Sequence, residues 1–287
     1  MKDTLAVIIP FYNAQDYLDR CLTSCLLCPE LDEIILVDDG SEDGSRQLVE
    51  QLQSKYAKIK LVTHLDKRNH GVAASRNLGI HAATTTWITF CDADDYYLEG
   101  RFEAFAKAEK KQDSIYFETI GSEDGTNTGI SFPNEGLSIS KFQSMLIASR
   151  EERISIIGLI VQKLALETIG SFDESLKIGE DTDLIWRLAG RFPFCKLENR
   201  TPKVIRGSSL SSLTSNNNLV NRQRQKFYAK WMNISDEVVL SDKAKRRIRD
   251  SALYYNFIQD SQGKSPLLKA FNYLEFKLRR LGLLNLS

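Results

Sequence analysis

Short apolar runs alternate with amphipathic segments along the first hundred residues of the chain. Four runs are rich in β-branched or aromatic residues and have polar boundaries, which predicts strands at Leu5–Ile9, Glu33–Asp38, Ile59–Thr63 and Trp87–Cys91. Helical patterns occupy the segments between them, at Gln15–Cys28, Ser45–Tyr56 and Val72–Ala83. This alternation predicts an α/β fold in which crossover helices join the parallel strands of a Rossmann-like sheet.

The pattern becomes less regular after residue 95. We expect a helix over Leu98–Lys110, a strand near Ser114–Glu118, and a loop or loose hairpin over the Gly- and Asn-rich stretch Gly121–Gly136. Ile154–Val161 is again apolar and β-branched. Two short helices are predicted after it, at Lys163–Ile169 and Asp181–Ala189.

The tail from about Leu219 is predicted to be mainly helical and is basic. The chain as a whole has zero formal net charge, yet residues 216–287 contain 14 Lys and Arg against 6 Asp and Glu, a balance of +8. Its last part places apolar residues on one helical face: Leu267, Phe271, Leu274, Leu278 and Leu281. Such a helix is compatible with peripheral contact to an anionic membrane or with packing on the main domain, and we favour packing.

Composition narrows the setting of the protein. With 287 residues, 42% hydrophobic and 26% charged, the chain is long enough for one large domain and an extension. No segment approaches the roughly 20 apolar residues that span a bilayer, and the first apolar run is too short for a signal peptide. We therefore expect a cytoplasmic protein with free thiols at its five cysteines and no nucleic-acid partner.

Acidic clusters follow two of the predicted strands. In open α/β sheets, ligands bind outside the carboxyl ends of the strands, and here those ends carry Asp38-Asp39 and Asp92-Ala93-Asp94-Asp95. Asp92 and Asp94 suit a hard divalent cation, which binds oxygen ligands and keeps water or phosphate oxygens in its shell. Asp39 suits a hydrogen bond from a pyrimidine base or a ribose hydroxyl, and equally a bond to its own turn.

A third acidic pair, Glu180-Asp181, begins a predicted helix. Attack by a hydroxyl group on a carbon centre needs a base that removes the hydroxyl proton, and a carboxylate can do this. A carboxylate at a helix start is also an ordinary cap that satisfies free backbone N–H groups. The residues alone leave both interpretations open.

The motifs taken together resemble family 2 glycosyltransferases. Five blocks occur in the order of that family and span about residues 5–215: Val7–Ala14, Ile34–Ser45, Asn69–Gly79, Ile88–Asp95, and Ile169–Glu174 followed by Gly179–Asp181. The resemblance implies a GT-A fold, with a mostly parallel central sheet flanked by helices. It also implies an inverting transfer of one sugar from a nucleotide diphosphate-sugar, by default a UDP-sugar, to a saccharide or lipid-linked saccharide acceptor in surface polysaccharide, lipopolysaccharide or glycoconjugate synthesis.

The resemblance also assigns roles to residues. Asp39 would contact the base, with Pro10 and Tyr12 lining the same pocket, and Arg76 would lie near the nucleotide or diphosphate. Asp94 would be the main ligand of Mn²⁺ or Mg²⁺. Asp92 would help to hold the ribose or the metal, and Ala93 would belong to the nucleotide-sugar site. Asp181 would be the general base, with Glu180 as the second candidate.

Domain boundaries follow from the same comparison. We expect a GT-A domain over residues 1–215, with a nucleotide-sugar half at about 1–118 and an acceptor half at about 119–215. Residues 216–287 then form the basic helical extension. Many relatives have a histidine in the segment that matches Val204–Ser209, and this chain has none there, so Arg206 is a candidate contact to the diphosphate. The Gln-x-x-Arg-Trp motif of processive members is also missing.

Three other interpretations compete with this one. Cys21, Cys25 and Cys28 have the spacing of an iron–sulfur site, but they lie among leucines in a predicted amphipathic helix, where a buried cysteine acts as a small hydrophobe. A sugar nucleotidyltransferase would be expected to have a glycine-rich basic loop after the first strand, and Phe11–Gln15 contains neither glycine nor a basic residue. A non-catalytic module that binds a nucleotide sugar or an assembly partner remains as the third.

Overall fold

The computed structural model describes residues 3–109, 114–123, 127–128, 138–149, 154–197, 202–207, 217–235 and 238–281. Its strands are β1 Leu5–Phe11, β2 Glu33–Asp38, β3 Ile59–Thr63, β4 Trp87–Phe90, β5 Tyr96–Tyr97, β6 Ile115–Phe117, β7 Ile120–Ser122, β8 Asn127–Thr128, β9 Leu159–Gln162, β10 Phe194–Lys196 and β11 Val204–Arg206. Its helices are α1 Gln15–Leu26, α2 Ser45–Gln53, α3 Val72–Ala82, α4 Glu103–Lys107, α5 Ile139–Ala148, α6 Lys163–Thr168, α7 Glu180–Ala189, α8 Asn217–Ser235, α9 Asp242–Ser261 and α10 Pro266–Arg280.

The chain folds as two compact units. The first contains Met1–Ile139 and Arg150–Leu210, and the second contains Ser140–Ser149 and Ser211–Ser287. The second unit therefore includes nearly all of α5 together with α8, α9 and α10. None of the helices in the described ranges is long and apolar enough to cross a membrane.

A seven-stranded sheet forms the centre of the first unit, in the order β10-β6-β9-β4-β1-β2-β3. The four strands that the hydrophobic pattern predicts lie side by side and parallel, with β1 between β4 and β2 and with β3 beyond β2. Every residue of β1, β2 and β4 is buried, as expected for parallel strands that are covered on both faces. The expected mostly parallel sheet with flanking helices is confirmed.

Strand β9 departs from the predicted pattern. It pairs antiparallel with both β4 and β6, so it is the strand that makes the sheet mostly rather than wholly parallel. The apolar segment Ile154–Val161 contains a short 3₁₀ turn at Ile156–Gly158. Strand β9 begins directly after this turn. Apolar runs indicate burial, but they carry no information on the direction of a strand.

The prediction of a helix over Leu98–Lys110 is mostly wrong. Only Glu103–Lys107 is helical, and it follows a turn in which Gly100 has a φ of 75°. Tyr96–Tyr97 instead form β5, which pairs antiparallel with β11 in a second, four-stranded sheet ordered β5-β11-β7-β8. In the stretch Gly121–Gly136, β7 and β8 pair antiparallel, and most of the remaining residues lie outside the described ranges.

The helices of the second unit pack through polar and aromatic side chains. Helices α8 and α9 are antiparallel, with Arg224 Nη1 bonded to Tyr255 Oη at 2.9 Å and Tyr228 stacked on the Tyr255 ring at 5.7 Å. The start of α9 is tied to α5, because the Ser241 N–H donates to Ser144 Oγ at 2.9 Å. The predicted, mainly helical tail is thus present in the second unit. Helix α5, which comes from the middle of the chain, belongs to the same unit.

Helix α3 approaches the sheet closely because one of its residues has no side chain. A Cβ placed on Gly79 would lie 2.5 Å from Ile8 Cγ2 and 3.2 Å from Val37 Cγ2, which belong to β1 and β2. The helix therefore depends on Gly79 for its position, and the start of this helix carries residues of the candidate site.

We predict that Gly79→Ala lowers the free energy of unfolding by about 1–2 kcal/mol. Overpacking of a core costs about 1–3 kcal/mol, and the 2.5 Å approach to Ile8 Cγ2 places this site in the upper part of that range. The better helix propensity of alanine offsets about 1 kcal/mol of this cost. Urea denaturation measures the change. The control is His81→Ala on the exposed side of the same helix, which should change stability by less than about 0.5 kcal/mol. Equal values for the two variants would contradict the close-packing argument.

Candidate active site

The turn after β2 is fixed by its own aspartates and by a distant loop. Asp38 Oδ1 accepts from the Ser41 N–H at 2.8 Å, and the Asp39 N–H donates to the Phe11 carbonyl at 2.9 Å. Gly40 has a φ of 84°, and a Cβ there would lie 2.9 Å from backbone atoms of Lys67 and Arg68. The turn is therefore held against the segment that leads into α3.

Asp39 fixes the beginning of α3. Its two carboxylate oxygens accept from the backbone N–H groups of His70, at 2.8 Å, and Gly71, at 2.9 Å. His64 Nε2 lies 3.4 Å from Asp39 Oδ1 and 3.0 Å from the Ser75 hydroxyl. Asp39 is only 4% exposed. Its partners lie about 30 residues away in the sequence rather than within its own turn. A hydrogen bond within its own turn is therefore not the role of Asp39 in the structure.

Arg76, one turn further along α3, joins two of the acidic motifs. Its Nη2 donates to Asp92 Oδ1 at 2.7 Å, and its Nη1 donates to Glu180 Oε1 at 3.0 Å. The Arg76 side chain is 4% exposed, and its guanidinium lies 5.3 Å from the centre of the Phe172 ring. A buried guanidinium needs charged partners, and here these partners come from two distant parts of the chain.

The Glu180-Asp181 pair divides into a buried and an accessible carboxylate. Burial first, and then the neighbouring charge of Asp181, raise the pKa of Glu180 to about 7, although Arg76 acts in the opposite direction. Asp181 is half-buried, and its Oδ1 accepts from the Thr182 N–H at 2.6 Å. Gly179 precedes the helix with a φ of 89°, a conformation that favours glycine.

The Asp92–Asp95 segment forms a tight turn at the end of β4. The Asp95 N–H donates to the Asp92 carbonyl at 3.0 Å. Asp95 is 2% exposed, and it accepts from the Gly207 N–H at 2.9 Å. Burial and the nearby Asp92 charge raise the pKa of Asp95 to about 8. A Cβ on Gly207 would lie 1.9 Å from the Asp94 carbonyl oxygen, so the end of β11 closes directly over this turn.

The carboxylates of this turn match the donors that a small hard cation uses. Asp94 is half-exposed, and its carboxylate has no hydrogen bond within the described ranges. Asp92 is 36% exposed, and Arg76 contacts only its Oδ1. The described part of the chain has no group of three or more His, Cys, Asp or Glu residues placed to hold a metal. An ion at Asp94 and Asp92 would therefore take its other ligands from phosphate oxygens and water, as Mg²⁺ commonly does.

The end of β1 lies beside these residues and carries the other predicted contacts. Pro10 is buried in the strand, Tyr12 is 49% exposed, and Ala93 is half-buried in the turn that carries Asp92 and Asp94. The backbone N–H groups of residues 13–15 already donate to the side chains of Ser41, Ser45 and Asp43. They are therefore not available to hold a triphosphate, which argues against a nucleotidyltransferase.

The cysteines behave as core residues. Cys21 and Cys25 are fully buried on α1, and Cys21 Sγ lies 3.8 Å from Cys91 Sγ and 3.6 Å from the Asp92 carbonyl oxygen. Burial raises the pKa of Cys28 to about 12, as is typical of a cysteine in an apolar core. Cys21 therefore supports the turn that carries Asp92.

The structure adds two residues that the sequence did not indicate. His64 and Arg20 have no recognisable spacing, yet Arg20 donates to the Asp94 carbonyl at 3.2 Å and lies 4.4 Å from the Tyr96 ring centre. Arg206, which was a candidate for the diphosphate, donates to Ser155 Oγ at 3.0 Å. Ser208 and Ser209 of the same predicted segment lie outside the described residues.

The fold is similar to that of a solved glycosyltransferase structure. The crystal structure of TarS residues 1–349 from S. aureus covers 98% of this chain and 83% of its own chain, with a TM-score of 0.67 and 18% identity. The complex of the same fragment with UDP-GlcNAc covers 98% and 84%, with a TM-score of 0.66. At this identity the similarity shows the GT-A fold alone.

Sequence relatives are found in bacterial glycosyltransferases. The uncharacterized glycosyltransferase EpsJ of Bacillus subtilis is 36% identical over 114 residues, which are 39% of this chain and 32% of that protein. The minor teichoic acid biosynthesis protein GgaB of Bacillus subtilis is 31% identical over 191 residues, 63% of this chain and 20% of that protein. The matches thus span about a third or less of these two relatives.

A family profile matches one continuous part of the sequence. The profile of glycosyl transferase family 2 aligns with residues 6–155, which include the end of β1, the Asp38–Ser41 turn, α3 and the Asp92–Asp95 turn. This range contains Asp39, Arg76, Asp92 and Asp94. The match covers more than half of the chain, and the chain therefore belongs to glycosyl transferase family 2.

Proposed function

We propose that this protein transfers a single sugar from a nucleotide diphosphate-sugar to an acceptor hydroxyl, with inversion at the anomeric carbon. The observation that carries the proposal is the Arg76 bridge between Asp92 and Glu180. It brings the motif proposed to hold the leaving diphosphate next to the motif proposed to activate the acceptor. Reaction at one carbon atom requires both functions within one site.

The donor is assigned to the edge formed by the ends of β1, β2 and β4. Asp39 is proposed to accept from the base with the lone pairs that its bonds to His70 and Gly71 leave available. Pro10 and Tyr12 are proposed to line the base pocket, and Asp92 with Ala93 to contact the ribose. UDP is our choice of nucleotide because a structure of similar fold is described as a complex with UDP-GlcNAc.

Arg76 is proposed to influence the diphosphate through Asp92. Its two terminal nitrogens are engaged with carboxylates, so it orients Asp92 and supplies positive potential. Mn²⁺ or Mg²⁺ would be held by Asp94, with Asp92 assisting. When bound, such an ion supplies Lewis-acid stabilisation of the charge that develops on the departing diphosphate.

Asp181 is proposed as the general base. The acceptor oxygen forms the new bond to the anomeric carbon, its proton passes to the Asp181 carboxylate, and the bond between that carbon and the diphosphate breaks. Asp181 is the more accessible of the two candidates, whereas Glu180 is buried and paired with Arg76. Because the Thr182 N–H donates to Asp181 Oδ1, Asp181 Oδ2 is left to receive the proton of the acceptor hydroxyl.

The acceptor class is proposed from the relatives. One relative is described as a teichoic acid biosynthesis protein, so we propose a saccharide or lipid-linked saccharide acceptor in surface polysaccharide, lipopolysaccharide or glycoconjugate assembly. A thermal-shift screen of nucleotide sugars with and without Mn²⁺ tests the donor, and UDP release in the presence of acceptor tests the transfer. Donor binding without UDP release across a broad acceptor panel would favour a non-catalytic binding module.

We predict that Asp94→Ala removes the stimulation of UDP binding by Mn²⁺ and lowers donor turnover by about 100-fold or more, because the ion loses its main protein ligand. Calorimetric titration of UDP with and without Mn²⁺ measures the binding. Asp19→Ala makes the same chemical change on the exposed side of α1 and should match the wild type. An undiminished Mn²⁺ effect in Asp94→Ala would remove this residue from the metal site.

We predict that Asp181→Asn lowers kcat by about 10²–10⁴-fold while the affinity for UDP stays unchanged, because an amide cannot accept the acceptor proton. Steady-state kinetics and UDP titration separate these effects. Normal turnover in this variant would show that another group is the base.

Glu180→Gln is the matched variant, and its kcat should remain well above that of Asp181→Asn. The pKa of Glu180 is raised from 4.5 to about 7 in the folded protein. The folded state therefore binds a proton at Glu180 more tightly than the unfolded state does, and the free energy of unfolding of the wild type decreases as the pH rises from about 4.5 through 7. The glutamine variant lacks this titration, so its stability relative to the wild type should increase over that range in urea denaturation. A pronounced loss of kcat in this variant alone would make Glu180 the base.

A further inference from the structure

The segment Ile169–Glu174, which we call the Phe172 loop, follows α6 directly and is fixed by a side chain of α3. Asn77 Nδ2 donates to the Phe172 carbonyl at 3.0 Å, and Asn77 Oδ1 accepts from the Phe172 N–H at 2.9 Å. Asn77 Nδ2 also donates to Glu174 Oε1 at 2.8 Å. One amide side chain therefore bonds both backbone groups of Phe172, although 95 positions of the sequence separate the two residues.

A side chain of α7 holds the beginning of the same loop. Arg187 Nη1 donates to the Ile169 carbonyl at 2.8 Å, and Arg187 Nη2 donates to the Ser171 carbonyl at 2.6 Å. Arg187 belongs to the helix that begins with Glu180, and Asn77 follows Arg76 in α3. The Phe172 loop is thus attached by side chains to both helices that meet at the buried guanidinium.

These attachments place the Phe172 ring against Arg76. The guanidinium carbon of Arg76 lies 5.3 Å from the centre of the ring. The ring also meets Phe90, the last residue of β4, edge-on at 5.4 Å between ring centres. Phe172 is 2% exposed. The ring therefore contacts both the arginine that bonds Asp92 and Glu180 and the strand that leads to Asp92.

The ring has a physical effect on the ion pair between Arg76 and Glu180. Opposite charges attract more strongly where water is excluded, and the side chains of Arg76 and Glu180 are only 4% and 10% exposed. Arg76 Nε is buried and has no hydrogen-bond partner in the described part of the chain. The negative face of an aromatic ring stabilises such a cation. Water entering beside Phe172 would solvate Arg76 and weaken its attraction to Glu180.

We propose that Asn77 and Phe172 are positioning residues for the transfer reaction. The Phe172 ring keeps water from the Arg76–Glu180 pair, and Asn77 holds the ring in that place. The start of α7, and with it Asp181, then stays at a fixed distance from the turn that carries Asp92 and Asp94. These roles rest on the proposed function, because the groups that are positioned are those proposed to act on donor and acceptor.

Asn77→Ala tests the proposal through the kinetics. It should lower kcat by about 10–100-fold, because small displacements of reacting groups can cost about 100-fold in rate. The affinity for UDP should change by less than about threefold, because none of the proposed contacts to the nucleotide is altered. Steady-state kinetics and UDP titration separate these two effects.

The pKa of Glu180 provides a readout that does not require sugar transfer. Burial is the largest cause of its raised value of about 7, with Asp181 and Asp92 acting in the same direction and Arg76 in the opposite one. Asn77→Ala keeps these three charges and admits water, so the pKa should fall to about 6 or lower. Carboxyl NMR of protein with isotope-labelled glutamate measures this pKa, and Glu180→Gln assigns the signal.

Phe172→Leu gives a second test if Asn77→Ala fails to fold. It keeps an apolar side chain in the core but removes the ring beside the guanidinium, so kcat and the pKa of Glu180 should both fall. Val49→Ala is the control for stability, because it leaves a cavity at a fully buried position of α2. Asn233→Ala makes the same chemical change as Asn77→Ala at an exposed position of α8. Both controls should keep the wild-type kcat and the wild-type pKa of Glu180.

An unchanged pKa of Glu180 in folded Asn77→Ala would overturn the proposal, whatever the activity of that variant. A normal kcat in a variant whose Glu180 pKa has fallen would overturn it as well, because the reacting groups would then not depend on the Phe172 loop. A wild type that releases no UDP with any acceptor would reject the proposed function instead, and the NMR titration would still decide whether the loop keeps water from Glu180.

Discussion

The arrangement of the candidate site depends on one buried guanidinium. Arg76 is almost completely excluded from water, and Asp92 and Glu180 both contact it. Removing a charged partner from such a group costs about 3–5 kcal/mol, so the fold is constrained to bring the end of β4 and the start of α7 to α3. Asp39 adds a second constraint, because it holds the backbone where α3 begins. Helix α3 therefore links three motifs that are far apart in the sequence.

The same constraint leaves the site with excess negative charge. Five carboxylates occur in the two acidic motifs that meet at Arg76: Asp92, Asp94, Asp95, Glu180 and Asp181. Burial and mutual repulsion raise the pKa of both Asp95 and Glu180, so one arginine does not neutralise the cluster. This excess of negative charge is the electrostatic reason for proposing a divalent cation at the site. It also separates the carboxylates into buried ones that shape the site and accessible ones, Asp94 and Asp181, that are proposed to act on ligands.

The second unit uses its helices in a different way. Aromatic rings and polar side chains join α8, α9 and α10, so the interior of this unit does not need the leucines of α10. A leucine that no neighbour covers loses favourable burial of about 1.5–3 kcal/mol. Leu267, Leu274 and Leu281 of α10 and its C-cap remain exposed, so packing within this unit does not account for them.

The sequence alone determined the parallel core and the positions of the acidic motifs. Period-2 and period-3.6 patterns report local burial, and strands buried on both faces are continuously apolar, so β1 to β4 and α1 to α3 were predictable. The sequence did not determine the direction of β9, the pairing of β5 with β11, or the partners of Asp39 and Arg76. Those features depend on contacts between residues that are distant along the chain, and hydrophobic periodicity contains no information on such pairs. Only the tertiary structure decided which face of α10 is covered, because helical periodicity identifies an apolar face but not its neighbour.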